Sequence, residues 1–101
     1  MDAHYMWIGV WNQTYPSENR REIVRIVGEQ IGEWEAQYGE YRGITYRAYR
    51  TATNTVLIHQ YEWSRRPDGD HRAAIFEYAS LDAAAGDGFA QVIENMRKYA
   101  K

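Results

Sequence analysis

The sequence contains no cysteine, only two prolines and no run of basic residues. Without cysteine there is no disulfide, no thiolate catalysis and no cysteine-based zinc or iron–sulfur site. The net charge of −2 and the lack of a basic tract disfavour direct binding to nucleic acid and to anionic membranes. No apolar run approaches the roughly 20 residues of a membrane span, and the first residues lack a signal-peptide pattern. We therefore expect a cytoplasmic protein with no membrane partner.

Motifs for cofactors, metals and catalytic nucleophiles are missing as well. No glycine-rich phosphate-binding pattern occurs. His4, His59 and His71 lack the short spacing of paired metal ligands, so a metal site would have to be assembled by the fold. The three serines fall at predicted helix caps or turns, which argues against a Ser-His-Asp enzyme. We expect no cofactor and no metal.

Aromatic residues are abundant instead, with nine tyrosines and four tryptophans in 101 residues. A chain of this length corresponds to a single domain, residues 1–101. Tyr and Trp are enriched where proteins bind each other, because each combines a large apolar area with a polar tip. A small core also needs large side chains, and that simpler interpretation is the favoured one from composition alone.

Hydrophobic periodicity predicts a mainly antiparallel four-stranded sheet with two helices packed on one face, in the order β-α-β-β-β-α. The predicted strands cover residues 4–12, 43–52, 55–64 and 71–79. The first helix runs from Pro16-Ser17, with Glu18 in its first turn, to about Gly39. The second helix begins at Ser80 and is interrupted at 86–88.

The first predicted helix carries two rows of residues. An apolar row with helical spacing predicts the core face; its members are Ile23, Val27, Ile31, Trp34 and Tyr38. An acidic row, Glu22, Glu29 and Glu33, would span roughly 16 Å of helix. The row is either an ordinary solvated face or an acidic strip that meets a basic partner surface. Gly28 and Gly32 would each destabilise a helix by about 1 kcal/mol relative to Ala. Close approach of another backbone would explain their presence, and so would plain tolerance of glycine, which is slightly favoured.

A two-residue turn at Thr53-Asn54 would set the register of the central hairpin. Tyr46, His59, Tyr61 and Trp63 would then share the core face, while Tyr49 and Ile58 would lie on the opposite, partner-facing side. Residues 4–12 are apolar on both faces, so the sheet face without helices also needs a cover. A homodimer partner, a foreign protein or a ligand would provide it.

The element order of the first 64 residues resembles the dimeric α+β barrel families, such as small monooxygenases and polyketide cyclases. This resemblance implies a homodimer with two facing sheets and a pocket that works through His, Tyr or Trp. Our alternative hypothesis is therefore a small homodimeric enzyme acting on an aromatic or polyketide-like substrate. His59 would be its general base, with Tyr46 or Tyr61 as helper.

The leading hypothesis is a non-catalytic binding protein that occludes a partner's surface. Its narrower form is a phage-type inhibitor of a nucleic-acid-binding machine, such as a CRISPR effector. Glu22, Glu29 and Glu33 would meet the partner's basic residues. Tyr49, Ile58, Trp7 and Trp63 would anchor the contact.

Overall fold

Five antiparallel strands close into a barrel, and a short helical segment follows them. The computed structural model describes residues 2–15, 17 and 19–100. The strands are β1 (Asp2–Trp11), β2 (Arg20–Tyr38), β3 (Arg42–Thr51), β4 (Val56–Ser64) and β5 (His71–Tyr78). Helix α1 (Leu81–Ala84) continues through a kinked π-helical segment (Ala85–Phe89) into helix α2 (Ala90–Lys98). Each strand pairs with the next, and β5 returns to pair with β1.

The predicted β-α-β-β-β-α order is wrong, because the stretch assigned to the first helix is strand β2. Its two edges pair with β1 and with β3, and Ile23 of the supposed core face is exposed. The segment is rich in β-branched residues, which fit a pleated surface better than a helix, and Gly28 and Gly32 further weaken a helix. Pro16 and Glu18, which were expected to begin that helix, lie outside the described residues.

Strand β2 bends so that the barrel can close. A ring with an odd number of straight strands cannot have every neighbouring pair antiparallel, yet all five pairs here are antiparallel. Residues 20–28 of β2 pair with β1 and residues 28–38 pair with β3, with a bulge between Gln30 and Gly32. A Cβ atom on Gly28 would collide with the Arg50 carbonyl oxygen. Close backbone approach therefore explains Gly28, and the favoured interpretation of plain tolerance does not.

The β3–β4 hairpin has a three-residue loop instead of the predicted two-residue turn. Arg50 pairs with Val56, the Thr51 amide donates to the Thr55 carbonyl, and Asn54 adopts a positive φ of 65°. Three-residue loops commonly end in such a left-handed residue. Because the register differs by one residue, β4 is turned over relative to the prediction, as a one-residue slip always does.

Two hydrophobic clusters lie on opposite sides of the barrel wall. The inner cluster draws on all five strands and so fills the barrel: Met6, Ile26, Tyr49 and Leu57, with Val24 and Ile75 packed against them. The outer cluster lies between strands β3–β4 and the helices: Tyr46, Ala48, Val56, Ile58, Ala84, Val92, Ile93 and Met96. Closure of the barrel thus buries the sheet face that the sequence analysis expected a partner or a ligand to cover.

The helical segment follows the predicted pattern more closely than β2 does. The Ser80 hydroxyl accepts a hydrogen bond from the Ala83 amide and caps α1. The predicted interruption is present, with Gly88 at a φ of 108°. Asp87 does not cap α2; its carboxylate accepts a hydrogen bond from the Tyr78 hydroxyl at 2.7 Å. Of the helices in the described residues, none is long and apolar enough to cross a membrane.

Candidate binding site

A cleft of about 610 Å³ opens between strands β1, β3 and β4. We call it the aromatic cleft; its lining residues are Tyr5, Met6, Trp7, Glu35, Thr45, Arg47, His59, Tyr61, Trp63 and Arg65. Strand alternation explains the β4 contribution, since residues two apart point to the same face. The cleft therefore combines aromatic rings with charged and hydrogen-bonding groups.

His59 is the buried polar group of the cleft, with 4% of its surface exposed. Its Nε2 donates a hydrogen bond to the Trp7 carbonyl oxygen at 2.9 Å. Burial lowers the pKa of His59 and nearby Arg47 lowers it further, while the hydrogen bond to Trp7 acts in the opposite direction. A neutral ring that donates from Nε2 leaves Nδ1 as the unprotonated nitrogen. The strand arrangement thus fixes both the tautomer and the position of the ring.

Tyr61 lines the cleft beside His59 and contacts both His71 and Trp7. Its hydroxyl lies 2.9 Å from Nδ1 of His71, and its ring meets the Trp7 ring edge-on at 5.3 Å between centroids. Burial raises the pKa of Tyr61. Burial also lowers the pKa of His71, with Asp70 opposing that change. The Tyr61 hydroxyl and His71 Nδ1 are hydrogen-bonded to each other, so the Tyr61 hydroxyl is already engaged.

Arginine side chains lie over the tryptophan rings around the cleft. The Arg21 guanidinium is 5.9 Å from the Trp7 ring centroid and 5.3 Å from that of Trp11. Arg65 lies 5.2 Å from the centroid of the Trp63 ring. Stacking of this kind holds a guanidinium in place while its N–H groups stay free to donate. Within the described residues neither Arg21 nor Arg65 forms an ion pair.

Trp63 has an unused hydrogen-bond donor. Its Nε1 is buried and has no partner among the described residues. The indole fits only because residue 43 is glycine, since a Cβ there would collide with Cζ2 of Trp63. A buried N–H without an acceptor is costly.

The residues predicted to contact a partner are not brought together as a set. Trp7 and Trp63 line the aromatic cleft. Tyr49 is buried in the inner cluster and Ile58 under the helices, so a partner on the surface reaches neither. The hairpin register explains this outcome, because it places Tyr49 and Ile58 on opposite sides of the barrel wall.

The three predicted glutamates lie on β2 and do not form a compact strip. From Glu22 to Glu33 an extended chain covers roughly 36 Å, against about 16 Å in a helix. Glu29 is opposite Arg50 and Glu33 is opposite Arg47 on β3. Arg47 and Arg50 are three residues apart on one strand, so their side chains point to opposite faces of the sheet. Each glutamate lies on the same face as the arginine opposite it, so Glu29 and Glu33 also point to opposite faces. Glu33 also forms a 3.0 Å ion pair with Arg47.

The residues of the enzyme hypothesis are separated as well. His59 and Tyr61 both line the aromatic cleft. Tyr46 lies on the other side of β3, stacked on Trp34 at 5.8 Å and facing the helical segment. The β-α-β-β order on which the resemblance to dimeric α+β barrels rested is absent.

Sequence reasoning missed Tyr5, Arg21, Arg47 and Arg65 as site residues. A signal existed for two of them: Tyr5 is two residues from Trp7, and Arg65 is two residues from Trp63. At strand spacing such pairs share a face. Arg21 and Arg47 come from other strands, and only the pairing register brings them near the tryptophans.

In the described part of the chain, no group of three or more His, Asp or Glu side chains is placed to hold a metal ion. Comparisons with protein-family models, with curated proteins and with solved structures find no match to this chain.

Proposed function

We propose that this protein is a non-catalytic protein-binding module that occludes a partner's surface through the aromatic cleft. The observation that carries the proposal is the concentration of Trp, Tyr and Arg at one accessible cleft. These three residue types dominate the energetics of protein–protein contacts. Tyr5 at the cleft rim is 68% exposed, whereas a side chain of the core would be buried.

Neighbouring residues extend this surface. Trp7 pairs across strands with exposed Ile23, and Tyr5 pairs with Arg25. The four side chains share one face of the β1–β2 pair, because they occupy alternate positions on both strands. An apolar centre with arginines at its edge is typical of a binding surface.

The charge of the cleft indicates which partner groups it would meet. Arg21 and Arg65 are held over tryptophan rings without ion pairs to described residues, so a partner's carboxylates could approach them. Inhibition of a nucleic-acid-binding machine, such as a CRISPR effector, stays a narrower form of this proposal. It would need the aromatic cleft to make the contact, since the compact glutamate strip is not formed.

The enzyme alternative has less support. It retains His59 and Tyr61 in one cleft, with His59 unprotonated at neutral pH because burial lowers its pKa. It loses Tyr46 to the helix-covered face, and the Tyr61 hydroxyl is already hydrogen-bonded to His71. The geometry therefore favours binding over proton transfer.

The test compares proteins captured from a lysate by the unchanged chain with those captured by two single variants. Tyr5→Ala removes an exposed ring at the cleft rim. Tyr99→Ala removes a similarly exposed ring, at 60%, just beyond α2, and is the matched control. A partner that engages the cleft should bind Tyr5→Ala about tenfold or more weakly, since an aromatic anchor in a contact contributes about 1.4 kcal/mol or more. Binding to Tyr99→Ala should be unchanged.

A third variant distinguishes binding through the aromatic cleft from binding through the glutamates of β2. Charge reversal of Glu22 and Glu29 together should leave the same partner bound, because neither side chain lines the cleft. Glu33 is kept unchanged in this variant because it forms the ion pair with Arg47 of the cleft. Loss of the partner in this variant, with retention in Tyr5→Ala, would overturn the proposal in favour of an acidic contact. So would equal losses in Tyr5→Ala and Tyr99→Ala.

A further inference from the structure

The barrel is closed by a short seam between β1 and β5. Only three residue pairs join these strands: Gly9 with Ala73, Val10 with Arg72, and Trp11 with His71. By comparison, nine pairs join β1 to β2 and nine join β3 to β4. Strand β5 has eight residues, so the remaining five, Ala74 to Tyr78, continue beyond the seam paired with β4 alone.

The second edge of these five residues is open. Within the described residues, no backbone hydrogen bond to another strand or loop is made from that side of Ala74–Tyr78. A cavity of about 560 Å³ lies at the head of the seam, between Ile8 and Gly9 on one side and Ala73 to Ile75 on the other, and residues 20–22 of β2 also line it. Phe76 is 37% exposed on this strand. Unpaired N–H and C=O groups in a row form a template for one more strand.

We infer that the open edge of β5 docks an extended segment of a partner protein by strand addition. The inference rests on the proposed protein-binding function and adds a mode of docking to it. Backbone hydrogen bonds would give affinity, and side chains opposite Ile75, Phe76 and Glu77 would give selectivity.

A second copy of this chain fits the edge poorly. Two β5 strands pairing antiparallel over Ala74–Tyr78 would place Glu77 of each copy opposite Ile75 or opposite Phe76, depending on the register. In either register, Glu77 of each copy lies opposite an apolar side chain of the other copy, so the unfavourable contact is made twice. Cross-strand pairs of opposite charge are favourable instead, so the segment that fits carries a basic residue opposite exposed Glu77 and apolar residues beside it.

The test titrates the full, ¹⁵N-labelled chain with two capped peptides, Thr-Val-Lys-Val-Thr and Thr-Val-Glu-Val-Thr. We expect the lysine peptide, at millimolar concentration, to shift the amide signals of Ala74–Tyr78 and to slow hydrogen exchange of the unpaired ones about tenfold or more. The glutamate peptide should bind several-fold more weakly. Glu77→Lys should reverse the preference between the two peptides.

Three outcomes would overturn the inference. The first is that neither peptide shifts these signals at millimolar concentration, which would mean that Glu77 only protects the edge from pairing. The second is that both peptides bind with equal affinity to the unchanged chain and to Glu77→Lys. The third is that the edge amides of the free protein become protected as its own concentration rises, which would assign the edge to a second copy. If a partner depends on Tyr5 while the peptides fail, docking at the edge is excluded and the proposed function stands.

Discussion

His59 is a buried titratable residue whose protonation the fold opposes. Burial lowers its pKa below the ordinary 6.5, and burial lowers the pKa of His71 in the same direction. Below pH 6.5 the unfolded chain therefore binds protons that the folded chain does not. We expect the free energy of unfolding to fall between about pH 7.5 and pH 5, by up to about 1.4 kcal/mol per pH unit for each such proton. Urea unfolding at a series of pH values measures this slope.

The variant His59→Gln separates His59 from the other titrating groups. Its amide can still donate to the Trp7 carbonyl oxygen, while it has no proton to gain in this pH range. We expect a flatter dependence on pH than in the unchanged chain. An identical slope in both proteins would show that other titrating groups, such as His71 or carboxylates, and not His59, control stability here.

At the scale of single residues, the sequence predicted part of the cleft. It grouped His59 with Tyr61 and Trp63 on one face, because alternation within one strand needs no knowledge of the partner strand. It misplaced Tyr46 and Tyr49, because their side depends on the register with β4. That register follows from the positive φ of Asn54, which Asn permits but does not require.

Strand β2 shows why one element was predicted incorrectly. Its apolar residues satisfy a helical period, but Ile23 and Tyr38 of that row are exposed, while Ile26 and Gly28 between them are buried. Helical periodicity describes how residues group around an isolated helix. The pairing of both edges, with β1 and with β3, is a non-local interaction that no single segment encodes.

The bend in β2 depends on Gly28, and a matched pair of glycine substitutions tests this. A Cβ on Gly28 would clash with the Arg50 carbonyl, so Gly28→Ala should lower the free energy of unfolding by about 1–3 kcal/mol. Gly86 lies in the helical segment, and no atom lies within 4 Å of the position that a Cβ would take there. Gly86→Ala should therefore be neutral or stabilise by up to about 1 kcal/mol. Equal effects of the two substitutions in urea unfolding would contradict the close approach.

For the whole molecule, closure of the sheet removes the argument for a homodimer. That argument assumed a flat sheet with one uncovered apolar face. In the barrel, side chains from all five strands bury each other, and the helical segment covers the outer face of β3 and β4. Exposed apolar side chains include Tyr5 and Ile23 beside the cleft and Phe76 on β5, where two foreign contacts are proposed.

We therefore expect a monomer of 11.9 kDa at all concentrations in a light-scattering series. Small-angle scattering should give a radius of gyration close to the 14.3 Å of the Cα atoms, slightly larger because of side chains and hydration. A stable dimer would mean that a second copy covers the cleft or the β5 edge. In that case Tyr5→Ala should return the protein to a monomer if the second copy occupies the cleft, and should leave the dimer intact if the second copy occupies the β5 edge. A monomer leaves both surfaces free for a different protein, as the proposals require.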